Sequence, residues 1–417
     1  MTAPLAARDA AQRILAALVP QPALRVPLDN TLGSVLAEPV RSPIDVPFRA
    51  NSAMDGYAAR ADDVRGATTS APRRLRVVER IAAGQFPTRP IGPGEVARIF
   101  TGAPVPEGAD SVIRQEDTDQ GADVVLIRDD RDAGVNIRRA GEDIRAGALV
   151  FDAGTVLEPA HLGVLASLAV AHPVVHRRPR VGILASGDEV VGIDQPDLIL
   201  SGQKIASSNS HALRALVRRA GGEPVDLGIA GDTPESVRRH LEGAADCDLL
   251  ITSAGISVGE HDHLRSVVEA MGGRLDFWRV RIRPGAPIGF GSLGAVPWIG
   301  LPGNPVSTMV TFELFARPAI RRLMGHRLPF RALTPVVTTE PIRVGPRLQH
   351  FLRAGLATEG PPYPATLTGG QGSGILTSMA RADALVIVPE GQQDIPAGAR
   401  LEAIRLDEPR HVADPPY

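Results

Sequence analysis

Three loops in the second half of the chain carry residue types suited to binding an anionic ligand. They read ASGDE (185–189), SAGISVGEHD (253–262) and LPGNPVS (301–307), and each follows a run of residues typical of a buried strand. Because open parallel sheets bind their ligands at the carboxyl ends of the strands, we expect the three loops to face one crevice. This crevice is the candidate site.

The SAGISVGEHD loop combines glycines and hydroxyls just before a predicted helix. Glycines permit close backbone approach, and free N–H groups at the start of a helix attract anions. The candidate binding residues are Ser253, Gly255, Ser257 and Gly259. Asp262 has two interpretations, since it could only cap the helix or could also bind a metal or transfer a proton.

The LPGNPVS loop is predicted to be rigid and rich in hydrogen-bond donors. Pro302 and Pro305 fix φ on both sides of Gly303 and Asn304. The residues that follow, including Ser307, open the next helix with free N–H groups. A structural turn would explain the prolines but not the run of donors, so we expect this loop to bind the ligand.

Acidic residues follow several of the predicted strands. Asp188, Glu189, Asp232 and Asp262 all lie at strand ends. Carboxylates gathered beside a phosphate usually hold a divalent cation. The sequence therefore predicts a Mg²⁺ site that draws on Glu189, Asp232 and Asp262.

Arginines alternate in the segment FWRVRIRPGAP (277–287). On a single strand, Arg279, Arg281 and Arg283 would point to one face. That face is either a solvated strand edge or a receptor for an oxyanion such as phosphate.

A framework of alternating elements must position these loops. Over 179–326 strand-like and helix-like segments alternate, which predicts a doubly wound parallel sheet in an α/β domain. Short β-like runs with Gly and Pro turns fill 46–137, and helical patterns flank them at 7–19 and 159–170. Short alternating segments over 327–417 predict a terminal β-barrel or sandwich.

The composition excludes several classes of protein. The 417 residues carry a formal net charge of −2 with both signs interspersed, which argues against a nucleic-acid or membrane partner. The single cysteine, Cys247, excludes an intrachain disulfide and suits a cytoplasmic protein. No GxSxG elbow, Walker A sequence or strand-linked GxGxxG is present, so a small-molecule reaction outside the hydrolase, P-loop and nicotinamide classes is expected.

Seven motifs follow one another along the chain in the order and spacing of one family. NSAMDGYA (51–58), FTGAPVPEGAD (100–110) and GEDI (141–144) precede the three loops, and RPGAP (283–287) lies between the last two. Together they resemble the molybdopterin molybdenumtransferases, the family of MoeA and the gephyrin E domain.

The resemblance implies a multidomain α/β plus β protein that forms a homodimer. An elongated N-terminal dimerisation region (1–45 and 138–178) would carry the inserted β module (46–137), and a C-terminal β-barrel would follow the molybdopterin-binding α/β domain. The reaction would insert molybdate into adenylylated molybdopterin, with Mg²⁺ as cofactor and release of AMP. A molybdopterin adenylyltransferase and acceptor molybdoenzymes would be further partners.

The resemblance also assigns roles to individual residues. The catalytic residues would be Asp55, Thr101, Asp143, Glu189 and Asp262. The first three of these would come from the partner subunit. The barrel would add Ser373 and Arg347 to the site, while Arg283 and Ser307 would bind the molybdate dianion.

Three positions depart from the family pattern. Ala254 replaces a glycine, Gly231 replaces the first acid of an Asp pair, and Ala286 replaces the lysine of a PGKP motif. A hydrogen bond to a charged group contributes about 1.5–3 kcal/mol, so loss of this lysine would weaken molybdate binding roughly tenfold unless an arginine compensates. The alternatives to an active enzyme of this type are a non-catalytic molybdopterin-binding scaffold and a tungstate-preferring variant.

Overall fold

The computed structural model describes residues 3–255 and 263–406. Its sheets confirm the expected fold class, a parallel α/β domain combined with an inserted β module and a terminal barrel. Within the described ranges, no helix is both long and apolar enough to cross a membrane.

The chain begins in an N-terminal region and then enters the β module. Helix α1 (Ala7–Ala16) buries Ala11 and Ile14 in the core of the α/β domain, as its helical periodicity predicts. After it come β1 (Ala23–Arg25), a 3₁₀ turn (Leu28–Asn30) and β2 (Val40–Arg41). The module contains β3 (Asn51–Ser52), β4 (Gly56–Ala59), α2 (Ala61–Val64), β5 (Arg73–Ile81), β6 (Glu95–Ile99), β7 (Ser111–Arg114), a 3₁₀ turn (Gln115–Asp117) and β8 (Val124–Ile127).

The module is built on a five-stranded sheet in the order β7-β4-β6-β5-β8. Strands β5 and β6 are parallel, and β4 runs antiparallel to β6. Apolar side chains cover both faces of the sheet, with Tyr57 and Ile113 on one and Ile81 and Ile99 on the other. The ends of β5 and β6 and the start of β4 therefore lie at the same end of the module.

The chain then returns to the N-terminal region. The returning elements are β9 (Ile137–Arg138), β10 (Leu149–Phe151), α3 (Pro159–Ser167) and β11 (Val174–His176). Strand β9 pairs with β3, β10 with β2, and β11 with β1. Helix α3 begins at a proline, as predicted, because the first helical N–H needs no partner within the helix.

The α/β domain alternates strands and helices. Its elements are β12 (Arg180–Ser186), β13 (Val190–Val191), α4 (Pro196–Leu200), β14 (Ile205–Ala206), α5 (Ser208–Ala220), β15 (Glu223–Ala230), α6 (Pro234–Glu242), β16 (Leu249–Ser253), α7 (Leu264–Ala270), β17 (Arg274–Arg279), β18 (Ile282–Arg283), β19 (Pro287–Leu293), β20 (Val296–Leu301), α8 (Pro305–Thr311), a π-helical turn (Phe312–Ala316) and α9 (Arg317–Leu323).

Six of these strands form one sheet in the order β15-β12-β16-β20-β19-β17. The first four are parallel, as expected, and helices cover both faces. The two antiparallel strands at the edge were not expected. A two-residue turn joins β19 to β20, and Gly294 supplies its positive φ of 59°.

The C-terminal domain is a barrel, which resolves the two options that the sequence left open. Its elements are β21 (Leu333–Thr338), β22 (Ile342–Arg343), β23 (Gln349–Leu356), β24 (Tyr363–Leu367), α10 (Leu376–Ala380), β25 (Ala384–Val388), β26 (Asp394–Ile395) and β27 (Arg400–Arg405). Strands β23, β24, β21, β27 and β25 pair in that order, and β25 pairs again with β23 to close the barrel.

The prediction that three alternating arginines share one strand is wrong. Strand β17 ends at Arg279, and the chain then leaves the α/β sheet. Arg283 lies on β18, which pairs with β23 of the barrel. Arg281 instead binds Glu390 at 3.0 Å, so the three side chains do not form a common face.

Candidate active site

A cavity of about 530 Å³ lies at the carboxyl ends of β12, β16 and β20. We call it the crevice. The predicted site residues that line it are Glu189, Ser253, Gly255, Pro302, Gly303, Asn304 and Pro305. The described parts of the three predicted loops (185–189, 253–255 and 301–307) therefore meet at one place, because the strands that precede them are neighbours in a parallel sheet.

Asn209, which was not predicted as a site residue, connects two of these loops. Its side-chain amide donates hydrogen bonds to Ser253 Oγ at 2.8 Å and to Gly303 O at 2.7 Å. Since a carbonyl oxygen only accepts, the amide nitrogen must face Gly303. The Oδ1 atom is left buried without a hydrogen-bond partner in the described part of the chain, so it can accept a donor from a ligand.

The start of α5 forms one wall of the crevice. Ser207, Ser208 and Asn209 line the cavity at the first turn of this 13-residue helix. No side chain caps the turn, because Ser207 Oγ contacts Ser210 Oγ at 2.6 Å instead of a backbone N–H. The free N–H groups make this wall favourable for negative charge. The sequence signal was the Ser-Ser-Asn run at the start of the predicted helix.

The start of α8 offers fewer free donors than expected. The backbone N–H of Val306 donates to Ser373 O at 3.0 Å, so a residue of the C-terminal domain occupies one of them. Ser307 is 4% exposed and does not line the crevice. The loop is rigid as predicted, since the Thr308 hydroxyl donates to Pro302 O at 2.6 Å.

The acidic residues at the strand ends are largely engaged by main-chain groups. Asp188 Oδ1 accepts the N–H of Asp232 at 3.0 Å, and Asp232 Oδ2 accepts the N–H of Asp188 at 3.1 Å. Lys204, the only lysine of the chain, donates to Asp188 O at 2.6 Å. Of the predicted metal ligands, Glu189 lines the crevice and Asp232 does not.

No group of three or more His, Cys, Asp and Glu side chains in 3–255 and 263–406 is arranged to hold a metal ion. Three predicted residues, Ser257, Gly259 and Asp262, lie outside the described residues. Glu189 is therefore the predicted metal ligand that the described structure places in the crevice.

A second cavity, of about 460 Å³, lies between β18 and the barrel. Its charged or titratable lining residues are Arg283, Arg343, His350 and Arg353, and its described lining contains no carboxylate. We call it the arginine cavity. Arg343 is paired with Asp394 at 2.6 Å, whereas Arg283 forms no salt bridge with any described residue. Arg283 is thus the cation most available to an oxyanion.

Arg353 organises the floor of the arginine cavity. Its side chain is fully buried and donates to the carbonyl oxygens of Gly370, Gln371 and Gly372 and to Ser378 Oγ, at 3.0–3.2 Å. Burial lowers the pKa of this guanidinium. Burial also lowers the pKa of His350. The hydrogen bond to the Gly345 carbonyl opposes this shift, and the charge of Arg283 adds to it.

The 284–287 loop separates the two cavities. Pro287 lines the crevice, while Pro284 lines the arginine cavity. Ala286, at the position where the family pattern has a lysine, lies in this dividing loop, and its carbonyl accepts the N–H of Val280 at 3.0 Å.

Asp55 and Thr101 lie together, away from both cavities. Asp55 Oδ1 accepts the backbone N–H and the hydroxyl of Thr101, each at 2.8 Å. Both bonds lower the pKa of the Asp55 carboxyl, and the bond from the backbone N–H has the larger effect. Asp143 is exposed, and its N–H donates to Val46 O at 3.0 Å. None of the three lines the crevice or the arginine cavity of its own chain.

Family models match three successive parts of the chain. "MoeA N-terminal region (domain I and II)" matches residues 5–169, "Probable molybdopterin binding domain" matches 182–322, and "MoeA C-terminal region (domain IV)" matches 335–406. A molybdopterin molybdenumtransferase of Nostoc sp. is 35% identical over 380 residues, which cover 90% of this chain and 86% of the relative. This chain belongs to the molybdopterin molybdenumtransferase family.

Further relatives agree with this membership. Molybdopterin molybdenumtransferase 2 of Mycobacterium tuberculosis is 37% identical over 385 residues, which cover 91% of this chain and 94% of the relative. The crystal structure of the molybdopterin biosynthesis MoeA protein from Pyrococcus horikoshii matches with a TM-score of 0.82 at 29% identity, covering 97% of this chain and 100% of that chain. The family and the multidomain fold implied by the seven motifs are both confirmed.

One departure from the molybdenumtransferase family pattern has a structural consequence. Ala254 has a φ of 74°, in the left-handed region that favours glycine. It lines the crevice next to Gly303, where an added Cβ would lie 3.1 Å from the Ala254 Cβ. The alanine therefore carries backbone strain at the crevice wall.

Proposed function

We propose that this chain inserts molybdate into adenylylated molybdopterin, with Mg²⁺-dependent release of AMP, in molybdenum cofactor biosynthesis. The observation that carries the proposal is the pair of cavities on the two sides of the 284–287 loop. One offers hydrogen-bonding groups and helix N–H donors, and the other offers cations. A pterin with a phosphate chain and a metal oxyanion need these two environments.

The crevice is the proposed site for molybdopterin and its phosphates. The first turn of α5 presents backbone N–H groups that can bind phosphate oxygens. Asn209 Oδ1 and Ser253 Oγ can bind polar edges of the pterin, which carries ring N–H donors and acceptors. The prolines at positions 302 and 305 keep the opposite wall rigid, so little ordering is required when the substrate binds.

The arginine cavity is the proposed entry site for molybdate. Molybdate is a tetrahedral dianion, and Arg283 offers several N–H donors and no described carboxylate competes for them. Because Pro284 and Pro287 face different cavities, the oxyanion would approach the pterin dithiolene across one short loop. Ser307 and Ser373 line neither cavity, and we retain them as second-line candidates near the start of α8.

Glu189 is the described residue best placed to hold Mg²⁺. Mg²⁺ is usually bound by one or two carboxylates together with substrate phosphates. The single carboxylate of Glu189 in the crevice can therefore bind the ion when the substrate supplies phosphate ligands. The ion would offset the negative charge of the phosphoanhydride when AMP leaves. Asp232 and Asp262 remain proposed as further ligands.

The proposed working unit is a homodimer. Asp55, Thr101 and Asp143 line neither cavity of their own chain, so their catalytic role requires that they reach the crevice of a partner subunit. The lowered pKa of Asp55 keeps it ionised, as suits a residue that orients water or a metal-bound group. We place the reaction in the cytoplasm, between a molybdopterin adenylyltransferase and acceptor molybdoenzymes, with no nucleic-acid or membrane partner.

The decisive assay incubates the full chain with adenylylated molybdopterin, Mg²⁺ and micromolar molybdate. AMP release and activation of a molybdoenzyme apoprotein are measured together. We expect both to depend on molybdate. Tight binding of the substrate without AMP release would identify a non-catalytic scaffold, and greater turnover with tungstate would identify a tungstate-preferring enzyme.

A further inference from the structure

Two exposed phenylalanines and an arginine form a stack on the surface of the inserted module. The guanidinium carbon of Arg49 lies 5.7 Å from the ring centre of Phe48 and 5.3 Å from that of Phe86. The two phenylalanines are 64% and 63% exposed. Rings this exposed gain little from packing within the chain, so their outer faces are available to a ligand.

A second stack of the same kind lies at the end of β6. The ring of Phe100 is 5.0 Å from the guanidinium carbon of Arg80 and 5.1 Å from that of Arg98. Arg98 is also 4.9 Å from the ring centre of Tyr57. Because β5 and β6 are parallel, Arg80 and Phe100 lie at the end of the sheet from which the loop carrying Phe86 departs.

The Asp55–Thr101 pair lies at this same end. Thr101 follows Phe100 directly, and Asp55 precedes β4, whose first residue is paired with the last residue of β6. The segment that follows Arg49 runs beside the segment that follows Thr101, with Val105 N donating to Ala50 O at 3.1 Å. Both stacks therefore share one end of the module with two residues proposed to act in catalysis.

This end of the module is cationic as well as aromatic. Arg49, Arg80 and Arg98 supply three positive charges. Two carboxylates lie nearby. Asp55 accepts two hydrogen bonds from Thr101, and Glu79 accepts two from Thr88 through Oε1, while Glu79 Oε2 has no hydrogen-bond partner among the described residues. The three arginines therefore outnumber the two carboxylates. Alternating rings and guanidinium groups bind flat bases by stacking and bind attached phosphates by charge.

We propose that this aromatic–arginine end of the module binds the adenine ring of the adenylylated substrate. The inference rests on the proposed function, which supplies a nucleotide half to be held. The pterin half needs directional hydrogen bonds, which the crevice provides through Asn209 and Ser253. The module offers stacking faces and charge, which suit a nucleotide. In a homodimer the module of one subunit would close over the crevice of the other.

The test measures binding of AMP to the full chain by calorimetry, with ribose 5-phosphate as the ligand that lacks the base. Phe48→Leu and Phe86→Leu keep an apolar side chain but remove the aromatic ring. Each is expected to weaken AMP binding about fivefold or more and to leave ribose 5-phosphate binding unchanged. Phe48→Trp should restore AMP affinity. The matched control is Phe330→Leu, since Phe330 is 48% exposed and lies just before the barrel, so no change is expected.

Three results would overturn the inference. They are unchanged AMP affinity in both leucine variants, an equal loss for AMP and ribose 5-phosphate, and a wild-type chain that binds AMP no better than ribose 5-phosphate. Turnover of adenylylated molybdopterin by the wild-type chain tests the proposed function separately. If the wild-type chain turns over adenylylated molybdopterin but both leucine variants bind AMP normally, the adenine-binding inference is wrong and the proposed function still stands.

Discussion

The crevice and the arginine cavity lie on the two sides of one loop and are built from opposite chemistry. The crevice is lined by hydroxyls, the side-chain amides of Asn209 and Asn304, backbone groups and one acid, Glu189. The arginine cavity is lined by three guanidinium groups and an imidazole, with no described carboxylate. Neutral, directional groups and helix N–H donors suit an extended organic ligand with a phosphate chain. A compact dianion is instead bound best where several positive charges converge.

The largest expected effect concerns the floor of the arginine cavity. Replacing Arg353 by methionine removes the donors to three carbonyls and one hydroxyl. Unsatisfied buried groups cost about 1–3 kcal/mol each, so we expect the free energy of unfolding to fall by roughly 3 kcal/mol in urea denaturation. Arg343→Met is the control, because that side chain is 80% exposed and solvent screens its ion pair with Asp394, so little stability should be lost. Equal losses in the two variants would show that Arg353 does not organise the cavity.

The next largest effect would separate the two cavities directly. Arg283→Ala should raise the molybdate concentration for half-maximal AMP release about tenfold or more, because a charged donor is lost. Its KM for adenylylated molybdopterin should stay within about twofold of the wild-type value. Arg281→Ala is a suitable control, since Arg281 binds Glu390 and lines neither cavity. A parallel rise in both constants for Arg283→Ala would contradict the division of roles.

Replacing Asn209 tests whether the crevice binds the pterin substrate and not molybdate. Asn209→Ala leaves Ser253 and Gly303 without their shared donor and removes the free Oδ1 acceptor. We expect KM for adenylylated molybdopterin to rise about fivefold, with the molybdate dependence unchanged. If the molybdate dependence changed instead, the oxyanion would have to bind in the crevice.

Backbone strain at the crevice wall predicts a stabilising change. Ala254 has a positive φ, so Ala254→Gly should raise the free energy of unfolding by about 1 kcal/mol. The control is Ala244→Gly, at a buried alanine with no positive φ, which should be destabilising. A loss of stability in Ala254→Gly would show that no strain is stored at this wall.

The smallest effect concerns the dividing loop. Ala286→Lys restores a cation at the position where the family pattern has one, and we expect it to lower the half-maximal molybdate concentration about threefold. A value equal to that of the wild-type chain would mean that Arg283 already compensates for the missing lysine. Titration of AMP release against molybdate distinguishes the two outcomes.

The sequence predicted the crevice because its residues follow consecutive strands of a parallel sheet. The geometry of such a sheet brings the residues that directly follow β12, β16 and β20 together, whatever the detailed shapes of the loops. Asn209 was not predicted because a Ser-Ser-Asn run at the start of a helix is typical of capping. Its second role depends on a contact with Gly303, which is distant in the sequence.

The arginine cavity could not be predicted from the same pattern. Alternation over Arg279, Arg281 and Arg283 fits a single strand, but the chain leaves the sheet after β17 and Arg283 joins the barrel instead. Similarly, Asp232 was predicted to be a metal ligand. Its carboxylate accepts the N–H of Asp188, and the Asp188 carboxylate accepts the N–H of Asp232. These bonds depend on the register of β12 against β15, which no local signal reveals.

The most direct test of the division of roles is to locate the oxyanion itself. Crystals of the chain soaked with molybdate and AMP would be measured near the molybdenum absorption edge, so that anomalous density marks the metal. We predict a peak in the arginine cavity within hydrogen-bond distance of Arg283, with AMP bound elsewhere. A molybdenum peak confined to the crevice, beside Asn209 and Ser253, would contradict the proposal that molybdate binds in the arginine cavity.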